Sequence, residues 1–493
     1  MTTRTLVLLA LSAILTLFVV TSACAIPAGL EKAIKLYHTG QVEQAVAVLE
    51  KAVAESKSDN ADTLNWLGFL YLRTNRLQDA LTTLEKAVKL RPKSVEIHNN
   101  LGTAYMRSGD YPRAMVEYKE MIKLKPKLPD GHYNLANVCV KAGDLDLAIE
   151  EYKKTVALNP TDAAALNCLG MAIKQKSGYT PEAIAAFEEA TRLGPSCATY
   201  FLNLGLAYKD TGKPDLALAA LKRAVGLQPR NYLARASYAE TLSENAQYQE
   251  AAGQYTIASG ISPNEFIVHY NLGVIYSKAG EFALAAQEYR KALEIQPSNS
   301  DAMSGLGWAL FKVGKPDDAV AQLKAASKVK PDEVEIYNRL VIVYMAQKNE
   351  QGTAEAWTEI LRLQPSNTTA MISLANRYFP KEAVIEDSQK PQVQKALDLY
   401  KKAVAANPTL AEAHVGIGIC SDRLGDIDAA IKEYREAIRL NGKLAVAYYN
   451  LGAALEKKNQ PKEAEAEYRK ALELDPNLVD AKTNLDRLTK PKA

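Results

Sequence analysis

The sequence predicts an all-α fold of stacked helix pairs, thirteen units in a row. Three observations carry this: a proline about every 34 residues, a small residue at one place in each period, and an alanine at a second. The prolines are Pro92, Pro126, Pro160, Pro195, Pro229, Pro263, Pro297, Pro331 and Pro365, spaced by 34 residues except for one gap of 35. Pro408 and Pro476 resume the series after a longer gap, with Gly442 at the expected position between them. If each unit is counted so that the proline falls at place 32, twelve of the thirteen have Gly or Ala at place 8, and twelve have Ala at place 20. Val341 and Thr353, both in repeat 10, are the exceptions.

Each place has a mechanical reason. Apolar residues at helical spacing flank the small one, as Leu101-Gly102 with Tyr105. Two helices fit one period, and a glycine near its middle, as in Ser108-Gly109-Asp110-Tyr111, turns the chain. Gly or Ala at places 8 and 20 lets two backbones approach closely. Proline cannot continue the second helix and so ends it. One pair has apolar surface that it cannot cover alone, so neighbours must stack.

The chain opens on a different kind of segment, residues 1–25. Arg4 is the only charged side chain before Glu31, and Leu6 to Val20 is apolar apart from Ser12 and Thr16. Thr21-Ser22-Ala23-Cys24-Ala25 follow. A charged start, an apolar stretch and a small-residue end mark an export signal. Ala23-x-Ala25 offers cleavage before Ile26. Ser22-Ala23-Cys24 resembles the end of a bacterial lipobox, which makes Cys24 a lipidation candidate, although Thr21 stands where such boxes usually carry Leu. Leu6 to Ile26 is also just long enough to stay as a membrane anchor. The expected location is the cell envelope of a bacterium, periplasmic or membrane-tethered.

The repeats then occupy residues 26–478. Repeat 1 (26–60) lacks the proline and reads as a degenerate end. Repeat 11 carries nine extra residues between Ala375 and Ala396, and the stretch from Phe379 to Pro391 is expected as a loop between its helices, an insertion at about 380–391. Residues 479–493 read as a polar capping helix and tail, with Asp486 replacing the small residue.

The pattern resembles the tetratricopeptide repeat family. The unit Ile97-His98-Asn99-Asn100-Leu101-Gly102-Thr103-Ala104-Tyr105, with Gly109-Asp110-Tyr111, Ala114, Tyr118 and Pro126, follows that consensus. The resemblance implies a right-handed superhelical α-solenoid in which first helices line a concave groove.

Little in the composition suggests chemistry. Sixty Lys+Arg against 57 Asp+Glu leave +3, too little to recruit nucleic acid through a field. H-E-x-x-H, Walker and G-x-S-x-G motifs are absent. His98, His132, His269 and His414 all stand at place 4, where other units carry Leu, Phe, Met or Tyr, so they read as packing residues rather than metal ligands. Cys139, Cys168, Cys197 and Cys420 read as free thiols, with a bridge between Cys139 and Cys168 the one alternative geometry leaves open. No catalytic, metal or cofactor site is expected.

The resemblance places residues 2, 5, 6, 9, 12 and 13 of each unit on the groove. There stand Asn65, Asn99, Asn100, Asn134, Asn137, Asn167, Asn203 and Asn271. An amide donates and accepts at once, so it can hold a peptide bond of any sequence. This arrangement resembles the asparagine ladder of O-linked GlcNAc transferases, although Asn at place 6 also belongs to the general consensus. Trp308, near Tyr270 and Phe311, is the candidate aromatic anchor. No three consecutive units carry the residues of the carboxylate clamp of chaperone-binding repeats. The expected role is therefore a non-enzymatic exported scaffold that holds a peptide or protein partner in the groove. The alternative is a structural rod that self-associates, or joins a larger assembly, through its outer face or ends.

Overall fold

The computed structural model describes residues 28–56, 60–379 and 385–489. The proposed export signal with Cys24, and residues 380–384 of the repeat 11 insertion, lie outside them. Among the described residues there are twenty-seven α-helices, one short 3-10 turn and no strand. They form thirteen consecutive pairs and a final single helix, Val479–Thr489. The chain divides into two compact units, Met1–Thr241 and Leu242–Ala493. Within each unit a first helix packs on its own second helix, and the second helix packs on the next first helix.

Repeat 3 shows how the sequence produces a pair. Its first helix is Val95–Ser108, capped by Ser94, whose hydroxyl accepts from the Ile97 N–H. Gly109 ends it at φ 82°. The Asp110 N–H then reaches back to the Tyr105 carbonyl at 2.9 Å, which satisfies an otherwise orphaned acceptor. The Asp110 side chain accepts from the Arg113 N–H and so opens the second helix, Tyr111–Leu124. Pro126 follows the end of that helix, where the missing N–H costs nothing.

The left-handed residue recurs at place 15. Gly40, Gly109, Gly143, Gly212, Gly280, Gly314 and Gly425 have positive φ, and so do Asn75, Ala246, Lys348 and Asn459 at the same place in their own repeats. All twelve place-20 alanines are 0% exposed, so the second helix lies against its neighbours with no room for a larger group. At place 8 of repeat 3, a Cβ on Gly102 would sit 2.8 Å from Tyr118 Cε1. In repeat 12 the corresponding approach, Gly418 to Tyr434, is 2.5 Å. Both tyrosines are 1% exposed, so the small residue at place 8 makes room for the ring at place 24.

The structure corrects one boundary. A 3-10 turn, Asp387–Gln389, precedes the second helix of repeat 11, Lys390–Ala406, which has 17 residues where most second helices have 14. Lys390 and Pro391 therefore belong to the helix and not to a loop. Proline suits the first turn of a helix, where its N–H would have no partner. Glu386 and Gln389 reciprocally cap the 3-10 turn that precedes this helix.

Candidate functional site

In unit Met1–Thr241 the asparagines of the first helices are linked from repeat to repeat. Asn100 Nδ2 donates to Asn65 Oδ1 at 2.8 Å, Asn134 to Asn99 at 2.8 Å, and Asn203 to Asn167 at 2.7 Å. Each bond runs from place 6 of one unit to place 5 of the unit before. Between them the same two places hold Tyr133 and Cys168, whose hydroxyl and thiol are 3.6 Å apart. The six amides are half-buried. In each pair the place-6 oxygen and one place-5 N–H pair of donors carry no further bond among the described residues. What remains is a row of fixed amides, each with an acceptor or a donor still open.

The remaining asparagines are held differently. The Tyr152 hydroxyl donates to Asn137 Oδ1 at 2.6 Å. In the second unit, Asn271 Nδ2 donates to the Tyr255 hydroxyl at 3.1 Å. Both tyrosines stand at place 24. Their rings are buried, and their hydroxyl tips fix polar side chains of the first helices, an effect that Tyr118 repeats with Thr103 at 3.1 Å. Asn450 Nδ2 donates to the Val446 carbonyl on its own helix.

Trp308, half-buried in the second unit, lies 5.6 Å from the Phe311 ring. The Lys312 ammonium stands over the indole at 4.8 Å and the Arg339 guanidinium at 5.8 Å. Arg339 belongs to the next repeat and is anchored there: it donates to Ser304 O at 3.0 Å and to Ser304 Oγ at 3.2 Å. This is again a contact from place 6 to place 5.

The four place-4 histidines are more than packing residues. His98 Nδ1 is 2.6 Å from Glu117 Oε2, and its Nε2 is 2.9 Å from the Pro92 carbonyl of the preceding repeat. His132 pairs in the same way with Glu151 and Pro126, His269 with Glu288 and Pro263, and His414 with Glu433 and Pro408. Each ring ties both helices of its unit to the turn before it. A carbonyl only accepts, so Nε2 donates, and Nδ1 then faces a carboxylate. For His98 the Glu117 hydrogen bond outweighs burial and holds the imidazolium above the usual histidine range. In three other units a different place-4 donor serves the same carbonyl: Arg235 to Pro229, Tyr337 to Pro331, Tyr448 to Gly442. The signal was present in the sequence: all four His-bearing repeats carry Glu at place 23.

Charged side chains on the first helices of the early repeats also have structural partners. Asp62 pairs with Arg91 at the end of the same unit, and Arg107 donates to the Leu72 carbonyl. Burial raises the Asp130 carboxyl above its ordinary value, and Asp162 adds to the effect. All four described cysteines are free thiols, with no bridge between Cys139 and Cys168. Burial pushes Cys139 up to about 11 and Cys420 up to about 12, so neither is a thiolate nucleophile at neutral pH. No cluster of three or more metal-ligating side chains occurs among the described residues. None of the described helices is long and apolar enough to cross a membrane.

The geometry defines a class, a tandem array of helix pairs, and comparison with known proteins names it. The tetratricopeptide repeat profile matches residues 105–170 and 276–341, a second of that description 174–232, 202–264 and 238–300, and a third 445–478. A TPR repeat profile matches 423–459, and the N-terminal TPR repeats region of Psidin matches 24–134. The chain belongs to the tetratricopeptide-repeat proteins. No curated protein matches it in a sequence search. Among solved structures, it is similar to YrrB, described as a TPR protein with an unusual peptide-binding site, at 28% identity over 38% of this chain and 95% of that one, TM-score 0.35. PilF of Pseudomonas aeruginosa is 22% identical over 42% of this chain and 94% of that one, TM-score 0.37. Cut9, in the APC/C hetero-tetramer Cut9-Hcn1, is 16% identical over 93% and 95%, TM-score 0.35.

Proposed function

We propose that this chain is a non-enzymatic scaffold, exported to the cell envelope, that holds a peptide segment or protein partner along the first-helix face of its repeats. The observation that carries the reading is the row of amide pairs Asn65–Asn100, Asn99–Asn134 and Asn167–Asn203. Each amide is already oriented by its neighbour, so little side-chain entropy is lost when a partner docks. An extended backbone that bonds to such a row is held whatever its side chains. Four to six such bonds, each worth about 0.5–1.5 kcal/mol net, hold a short peptide only weakly. A partner that spans several repeats gains by multivalent contact. The leader at residues 1–25 supports export, with Cys24 the lipidation candidate if the chain stays tethered.

The competing role is an assembly rod whose outer face or ends carry the contacts. Quantitative affinity capture from native envelopes decides between them, with the full chain and its Asn100→Ala, Asn134→Ala double variant run side by side. A partner lost selectively from the variant supports groove capture. A partner set that is unchanged, with cross-links on the second helices, contradicts it.

A further inference from the structure

The second unit carries a surface of another kind on its first helices. In repeats 8, 9 and 10 these are Phe266–Ala279, Ser300–Lys312 and Val334–Ala346. Trp308 and Phe311 lie together on the middle one. On the next, Ile342 is 45% and Met345 62% exposed. Ile342 shares place 9 with Trp308, and Met345 shares place 12 with Phe311. Apolar side chains thus repeat at matching places on adjacent helices, Trp308 and Phe311 half-buried and Ile342 and Met345 exposed.

The charges around them are one-sided. The only acids on these three helices are Asp301 and Glu335, and both are engaged: Asp301 with Lys330 at 2.8 Å, Glu335 with Arg339 at 3.2 Å. Lys278 and Lys312, both at place 13 and both exposed, have no carboxylate within ion-pair distance among the described residues. The Lys312 ammonium rests instead over Trp308 at 4.8 Å and Phe311 at 5.9 Å. A cation over an indole is attracted by the ring and remains free to meet an anion.

We infer that this face binds an extended acidic peptide segment in which carboxylates alternate with large aliphatic or aromatic side chains. The apolar side chains would lie on Trp308, Phe311, Ile342 and Met345, and the carboxylates would meet Lys312 and Lys278. Basic segments are repelled, and purely apolar ones leave the two ammonium groups without a partner. The assignment rests on the reading of the first-helix face as the ligand face. It adds a chemical preference in the second unit that the sequence-blind amide row of the first unit lacks.

The test is fluorescence anisotropy with the purified full chain and three capped, fluorescein-labelled peptides. The first is Gly-Ser-Glu-Leu-Glu-Phe-Ser-Gly, the second has Lys for both Glu, and the third has Ala for Leu and Phe. The acidic apolar peptide should bind at least about tenfold tighter than either of the others. Trp308→Ala and Lys312→Glu should each weaken it by about tenfold or more, while Lys312→Arg stays within about threefold. Lys312 is exposed, so its substitution tests the site without touching the core. Val116→Ala, on an exposed second-helix position outside both first-helix surfaces, should bind this peptide like the parent chain. Equal binding of the Lys peptide, or binding that survives both Trp308→Ala and Lys312→Glu, overturns the inference. So does a fall in sedimenting mass on Trp308→Ala, which would show a second copy on this face. Loss of binding only in the Asn100→Ala, Asn134→Ala variant overturns it too, while leaving the amide row as the ligand site.

Discussion

Replacing Glu117 by Gln tests the histidine network in a way that separates charge from packing. His98 and Glu117 are almost enclosed, their side chains 7% and 16% exposed. Nε2 donates to the Pro92 carbonyl, so Nδ1 can bond to a carboxylate only while it also carries a proton. Glutamine has the same shape and offers an N–H to a neutral ring, so the hydrogen bond survives and the charge pair does not. A hydrogen bond to a charged group contributes about 1.5–3 kcal/mol, and partial solvent contact brings the expected loss to about 1–2 kcal/mol near pH 6. The sign follows from linkage. The folded pKa of His98 lies above its unfolded value of about 6.5, so its contribution is full below that value and is lost as pH rises through the folded pKa. In the Gln variant the neutral ring is the bonded form, so the trend reverses. Opening of a solenoid is local. Hydrogen exchange across Val95–Leu124 should therefore speed by about tenfold near pH 6 in Glu117→Gln, and the difference should shrink and then change sign as pH rises through the folded pKa of His98. A difference that stays constant as pH rises, or that grows in the same sense at the alkaline end, would refute the reasoning. Histidine-selective NMR showing a neutral His98 ring near pH 6 would refute it as well.

Other outcomes are equally specific. Ala246 and Lys348 have φ of 57° and 56° at the place where most repeats carry glycine. Lys348→Gly should raise stability by about 0.5–1 kcal/mol, visible as a higher melting temperature, whereas Gly109→Ala should lower it by a similar amount. Cys139 and Cys420 should resist a thiol reagent at pH 8 until the chain unfolds, because both are buried and their thiols are pushed up to about 11 and about 12; labelling at the native-state rate of an exposed thiol would contradict this. Tyr468→Ala removes a ring that is 0% exposed and should cost about 3–5 kcal/mol of local stability, read by exchange in the last two repeats.

The repeat architecture was legible because each place has a single steric duty. Alanine at place 20 marks a helix contact with no free volume, and Gly102 or Gly418 marks the path of a tyrosine ring, so spacing alone revealed them. The candidate site was legible only in part. Asn65, Asn99, Asn100, Asn134, Asn167 and Asn203 could be placed on one face, but their mutual bonding depends on the register between neighbouring units, which no single repeat encodes. The His–Glu–carbonyl ties were missed because place 4 also accepts Leu, Phe and Met; what identified them is the pairing of His with Glu nineteen residues later, as in His132 and Glu151. The start of the Lys390–Ala406 helix was missed because proline was read as a break, although it is equally at home in a first turn.

The central claim is that partners meet the first helices and not the second, and site-specific photo-cross-linking in native envelopes tests it most directly. Met171, 39% exposed on the first helix of repeat 5, and Val116, 57% exposed on the second helix of repeat 3, lie in the same unit on different helix layers. With a benzophenone side chain at one position or the other, the account predicts a discrete cross-linked partner from position 171 and none from position 116. The same partner trapped from 116 and not from 171 would contradict it.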